Sequence, residues 1–94
     1  MANLVSGSVA TIEVLFFAQV RERLDCAALT VPVPEEGLDL DRLQQRLVAE
    51  HGEPWGEVLG HENIIRAVNQ TVIDGNLPLN EGDEVAFYPP VTGG

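Results

Sequence analysis

One segment, DLDRLQQRLVAEH at residues 39–51, reads as a long amphipathic helix, and it limits the fold more than any other feature. Leu40, Leu43, Leu47 and Val48 recur at helical spacing and make a single apolar stripe. Asp39 suits the N-cap, Asp41 suits the positive end of the helix dipole, His51 falls in the last turn and Gly52 is a natural stop. The stripe needs an apolar surface to pack against, and the rest of the chain offers short β-type runs to build one. The pattern is strand, strand, helix, then further strands. That predicts an α+β fold, one sheet with a helix on one face.

The strand expectations come from period two and from turn residues. TIEVLFFAQV (11–20) is rich in β-branched and aromatic residues, with Ile12, Val14 and Phe16 on one face and Leu15 and Phe17 on the other. RERLD then reads as a turn or short helix. Ala27 to Val33 reads as a second strand, confined to a sheet edge by Pro32 and Pro34. GEPWGEVLG has room for one short helical turn that brings Trp55, Val58 and Leu59 to the core. Ile64 to Val68 reads as a third strand. Asp74-Gly75 signals a tight turn between short pairing segments at Val72, Ile73 and at Leu77, Leu79. NEGD (80–83) is another turn, and Glu84 to Tyr88 is the last strand.

The first and last of these strands carry apolar residues on both faces. If they are neighbours, one face packs on the helix and the other displays Leu15, Phe17, Ala86 and Tyr88. Such a patch on a small acidic protein suits docking. The competing possibility is that segment 52–63 folds over that face and buries it.

Bulk composition narrows the function classes. At 94 residues the chain holds one domain. Fifteen acidic residues against five basic ones give a net charge of −10, which disfavours nucleic acid and favours a partner with a basic surface. No stretch approaches the ~18 apolar residues of a membrane span. A lone cysteine, Cys26, excludes an internal disulfide and fits a reducing, cytoplasmic setting. Residues 1–10 read as a loose extension rather than a signal peptide, residues 11–88 as the folded domain and residues 89–94 as a tail. His51 and His61 show no metal-ligand spacing, and no metal or bound cofactor is expected. The paired acids at Glu35-Glu36 and in Glu81–Glu84 fall in turn-like segments, and no nucleophile or phosphate-loop motif is present. The body of the chain shows no catalytic constellation.

The last six residues, PPVTGG, differ in kind. Pro89 and Pro90 cannot donate ladder hydrogen bonds, so they end sheet pairing and favour a stiff, extended segment. Six extended residues span about 20 Å. Gly93 and Gly94 have no Cβ and fit a channel too narrow for other residues. The group delivered at the end is a carboxylate. It is a poor electrophile until it is activated, for example as a mixed anhydride with AMP. A sulfur donor could then leave a thiocarboxylate, or an amine could be conjugated.

Four motifs, VLFFAQVRE (14–22), AVNQT (67–71), GDEVAF (82–87) and PPVTGG (89–94), together resemble the small, sulfur-carrier subunits of molybdopterin synthase. Beyond the first ten or so residues the whole chain follows that pattern. The resemblance implies a β-grasp, ubiquitin-like fold, a mixed sheet of about five strands with one main helix on one face and a flexible Gly-Gly tail. It also implies a non-catalytic sulfur donor of molybdenum cofactor biosynthesis. In that cycle an ATP-dependent, ubiquitin-activating-like adenylyltransferase activates Gly94, and a sulfurtransferase converts it to a thiocarboxylate. Pro89, Pro90, Val91, Thr92 and Gly93 enter the large synthase subunit, which transfers the sulfur to a pterin precursor. Two carriers on a large-subunit dimer would supply two dithiolene sulfurs. The partner-binding positions matched by the resemblance are Phe17, Val72 and Tyr88. Tyr88 stands where Phe is frequent, and the N-terminal extension and Cys26 lie outside the pattern. A carrier of the same fold serving thiamin synthesis, tRNA thiolation or cysteine synthesis is the alternative.

Overall fold

The computed structural model describes residues 10–90. In chain order these form β1 (Thr11–Phe16), α1 (Ala18–Leu24), β2 (Ala28–Pro32), β3 (Leu38–Asp39), α2 (Leu40–His51), α3 (Trp55–Leu59), β4 (Ile65–Val68), β5 (Thr71–Val72), β6 (Pro78–Leu79) and β7 (Glu84–Tyr88). The main sheet has five strands in the order β2-β1-β7-β4-β5, and β3 and β6 form a separate two-stranded ladder. β1 and β7 pair in parallel at the centre, with Val14 beside Val85 and Phe16 beside Phe87. The remaining pairs are antiparallel. This is the mixed five-stranded sheet with a main helix on one face that the sequence predicts, and it is a β-grasp arrangement.

α2 begins and ends where its sequence signals place it. The Asp39 side chain accepts a hydrogen bond from the Arg42 amide at 2.8 Å, and the Gly52 amide donates to the Val48 carbonyl at 2.9 Å. Gly52 adopts φ 69° and ψ −143°, a conformation that side chains with a Cβ avoid. Two further donors at the helix start are taken by the 76–77 loop: Leu40 N–H donates to the Leu77 carbonyl and Asp41 N–H to Asn76 Oδ1. Arg66 ties the same helix to the sheet, donating to Asp41 at 2.6 Å, to Gln44 Oε1 at 2.9 Å and to the Gly75 carbonyl at 2.5 Å.

Leu40, Leu43 and Leu47 of α2 are sealed against Ile12, Val14, Phe16, Val85 and Phe87 of the central strands. Phe16 stacks on Phe87 and meets Trp55 edge-on at 5.3 Å. Among the described residues no polar or charged side chain is buried.

Two expectations are corrected. β1 stops at Phe16, and residues 18–24 form a helix rather than more strand. Val20 and Leu24, four apart, are its buried pair, and the Val20 and Arg21 amides turn back onto the Phe17 carbonyl. Ala18, at φ 53°, makes the turn between strand and helix. Second, the segments around Asp74-Gly75 do not pair with each other. β5 pairs with β4, and β6 pairs with β3, because loop 73–77 is engaged at the start of α2. The tight hairpin turn lies instead at Asn69-Gln70, both with positive φ. The competing possibility, that segment 52–63 covers the outer sheet face, is not realised: the segment packs on the helical side, where α3 touches α1 and α2.

Asn69 explains why the AVNQT and GDEVAF motifs belong together. Its amide donates to the Glu84 carbonyl at 2.7 Å, its side-chain oxygen accepts from Glu84 N–H at 3.0 Å, and its side-chain nitrogen donates to Asp83 at 3.0 Å. Replacing Asn69 with Ala removes two side-chain bonds and leaves a methyl-bearing residue in the left-handed region. Asn69→Ala is expected to lower unfolding free energy in urea by about 2–3 kcal/mol. Asn69→Gly, which keeps only the conformational freedom, should lose less.

Candidate functional site

The outer face of the main sheet is built by the residues that alternate with the core positions. In register, Leu15 lies beside Ala86, Ala86 beside Ala67, Ala67 beside Val72, and Ile65 beside Tyr88. These residues share one face by strand periodicity. Ala67 and Ala86 are buried but stand apart from the helix-side core, so they form the floor of a second apolar layer. Ala86, expected on display, is 3% exposed because its methyl sits below its larger neighbours.

The rings of Phe17 and Tyr88 stack above that floor, 4.8 Å apart and 8° from parallel. The stack follows from the central pairing: β1 and β7 run side by side, and the Phe17 amide extends the ladder by donating to the Phe87 carbonyl at 3.1 Å. Phe17 is 37% exposed and Val72 66%, and these are the exposed large hydrophobics among the described residues. Leu15, Ile65 and Tyr88 are half-buried. The structure therefore brings Phe17, Val72 and Tyr88 onto one surface. Ile65 and Ala67 join them, which the sequence reading missed. Their period-two alternation in β4 was the available signal, but it needs the pairing partner to tell inside from outside.

The rim of this face is acidic. Glu13 and Glu84 are direct neighbours in the parallel pair and share the outer face with Leu15 and Ala86. The arginines engaged in ion pairs lie elsewhere: Arg23 with Glu57, Arg46 with Glu50 and Arg66 with Asp41. Among the described residues no cluster of His, Cys, Asp or Glu could hold a metal ion, and no helix is long and apolar enough to cross a membrane. Cys26 is half-buried, with its thiol 3.5 Å from the Ala28 carbonyl.

β7 ends at Tyr88, and the chain continues directly into Pro89 and Pro90, both half-buried. They lie at a cleft of about 80 Å³ between α1 and α3. The stacked aromatic pair is thus contiguous with the root of the tail. Val91, Thr92, Gly93 and Gly94, and with them the expected mobility of the tail, lie outside the described residues.

Known proteins resemble this chain in sequence and in fold. Residues 14–94 match the ThiS family. The molybdopterin synthase sulfur carrier subunit of Escherichia coli (strain K12) is 43% identical over 83 residues, covering 88% of this chain and 99% of that one. A chain from a protein–protein complex of subunits 1 and 2 of molybdopterin-converting factor from Helicobacter pylori 26695 superposes with a TM-score of 0.61 at 32% identity. It covers 89% of this chain and 99% of its own. The crystal structure of small archaeal modifier protein 1 from Haloferax volcanii superposes with a TM-score of 0.70 at 25% identity, over 87% and 99% of the two chains. The match from β1 to the final glycine, on a sheet with this central parallel pair, establishes that the chain belongs to the ThiS family of ubiquitin-like, β-grasp proteins.

Proposed function

We propose that this chain is a sulfur carrier for molybdenum cofactor biosynthesis, the small subunit of a molybdopterin synthase, and that its working group is the carboxylate of Gly94. The observation that carries the reading is continuity: an open apolar face ends in the Phe17–Tyr88 stack, and the next two residues start the tail. A partner that covers this face is brought next to the root of the arm that holds the reactive group. Curated relatives named as sulfur carrier subunits of molybdopterin synthase, matched along nearly their whole length, support the same assignment.

The chemistry assigns the steps to different proteins. An adenylyltransferase that uses ATP converts the Gly94 carboxylate to an acyl adenylate. A sulfurtransferase system then replaces AMP with sulfur and leaves a thiocarboxylate. The chain has no lysine, so it has no side-chain amine to intercept its own activated terminus. Pro89, Pro90, Val91, Thr92 and Gly93 then carry the thiocarboxylate into the active site of the large subunit, where a pterin precursor takes the sulfur. The setting is the cytoplasm, and this chain binds no cofactor itself.

Phe17, Val72 and Tyr88 are the docking contacts for the large subunit. Each apolar side chain that a partner covers contributes about 1.5–3 kcal/mol. The net charge of −10 steers the carrier toward a basic partner surface.

A second reading, a modifier joined to target lysines through Gly94, draws on the likeness to the small archaeal modifier protein. Intact-mass analysis separates the two. Incubated with its activating enzyme, ATP and a sulfur source, the protein should gain the mass of one oxygen-to-sulfur exchange at Gly94. Unchanged mass beside a demonstrably active enzyme would count against the carrier, and isopeptide-linked adducts in extracts would favour the modifier.

Val72→Asp places a charge on the open face at a position that contributes little to the core. Unfolding free energy should move by no more than about 0.5 kcal/mol. Affinity for the large subunit, measured by calorimetry, should fall at least about tenfold, which is about 1.4 kcal/mol. Unchanged affinity would remove Val72 from the interface.

A further inference from the structure

The cleft at the root of the tail has a defined construction. Gln19, Val20 and Arg23 of α1 form one wall, Glu57 and Val58 of α3 the other, and His61 closes the end. Val20 and Val58 are buried and give the cleft an apolar floor. At its mouth Arg23 Nη2 donates to Glu57 Oε1 at 3.0 Å, joining two helices that are 34 residues apart in sequence. Pro89 and Pro90 lie along this cleft, half-buried, at the point where sheet pairing has ended. Neither ring can be held by a donated backbone hydrogen bond. Lateral contacts are what remain to orient them.

We infer that the α1–α3 cleft is a clamp that sets the direction in which the tail leaves the domain, with Gln19, Arg23 and Glu57 as positioning residues for sulfur transfer. The inference rests on the sulfur-carrier reading and adds to it a function for residues away from the docking face. The argument is one of leverage. Proline fixes φ, so seating two consecutive rings narrows the heading of the chain that follows. At full extension four more residues reach about 13 Å, so a swing of about 20° at the root moves the tip by about 4–5 Å. Misplacement of a reacting group by about 1 Å can cost ~10²-fold in rate. A tail aimed by its own domain enters a partner's channel already pointed along it.

The Arg23–Glu57 pair is solvent-exposed on both sides, so it can be altered without unfolding the domain. The test has two arms. In the free, full-length protein, NMR should show cross-relaxation between the Pro89 and Pro90 ring protons and the methyls of Val20 and Val58. These signals should weaken in a Gln19→Ala/Arg23→Ala/Glu57→Ala variant. In the second arm the carrier is prepared with a C-terminal thiocarboxylate, and single-turnover sulfur transfer to the pterin precursor is followed with saturating large subunit. The triple variant should transfer about tenfold more slowly while its dissociation constant stays within twofold of the parent. The charge-swapped Arg23→Glu/Glu57→Arg variant should recover the rate. Absence of ring-to-methyl signals in the parent protein, or transfer rates within twofold in the triple variant, overturns the clamp. A parent carrier that delivers no sulfur at all sinks the carrier reading instead, and the NMR arm still decides whether the prolines are held.

Discussion

The parallel pairing of β1 with β7 is the constraint on which the rest of the structure depends. It joins the first strand of the domain to the last, at the centre of the sheet, with no local turn to enforce it. On the inner side it stacks Phe16 on Phe87 and so provides the surface that α2 and Trp55 cover. On the outer side the same register stacks Phe17 on Tyr88. The core and the outer apolar face are therefore two sides of one pairing. A slip of one residue would exchange them, sending Ala86 and Tyr88 inward and Val85 and Phe87 out.

Polar interactions guard that register from outside. Asn69 grips both sides of the Glu84 peptide and also Asp83, whose carboxylate accepts from the Asn80 amide at 2.8 Å. Arg66, on the inner side of β4, holds α2 through Asp41 and Gln44 and holds loop 73–77 through the Gly75 carbonyl. These residues are structural, although Asn69 and Asp83 lie in motifs that carry the family resemblance and Arg66 directly precedes one. Motif membership alone does not separate a residue that holds the fold from one that touches a partner. The distinction comes from where the side chain ends up: Asn69 in a hydrogen-bonded clamp, Val72 three residues later in solvent.

How much was legible in the sequence follows from the range of each interaction. α2 was legible in full, because its stripe, cap and stop act within a few residues. The edge position of β2 was legible from Pro32. Phe17, Val72 and Tyr88 were reached through the family resemblance. Periodicity alone pointed to Phe17 and Tyr88, since both strands are apolar on both sides. What escaped depends on distant partners. Val20 looks like strand until Leu24 and α3 give it a helical environment, and Asp74-Gly75 looks like a hairpin until Arg66 and Asp41 claim the loop. The cleft around Pro89 and Pro90 needs two short helices, and neither announces itself by length.

The edges of the sheet have a consequence for how this domain behaves in a crowded cell. A sheet with one bare greasy face is at risk of growing sideways into fibrils, because each unpaired border invites another copy. Among the described residues one border is β2, which ends in a proline, and the other is β5, only two residues long. The terminal proline of one and the shortness of the other limit pairing with a neighbour. The apolar surface that remains is one that a complementary shape must meet broadside rather than edge to edge.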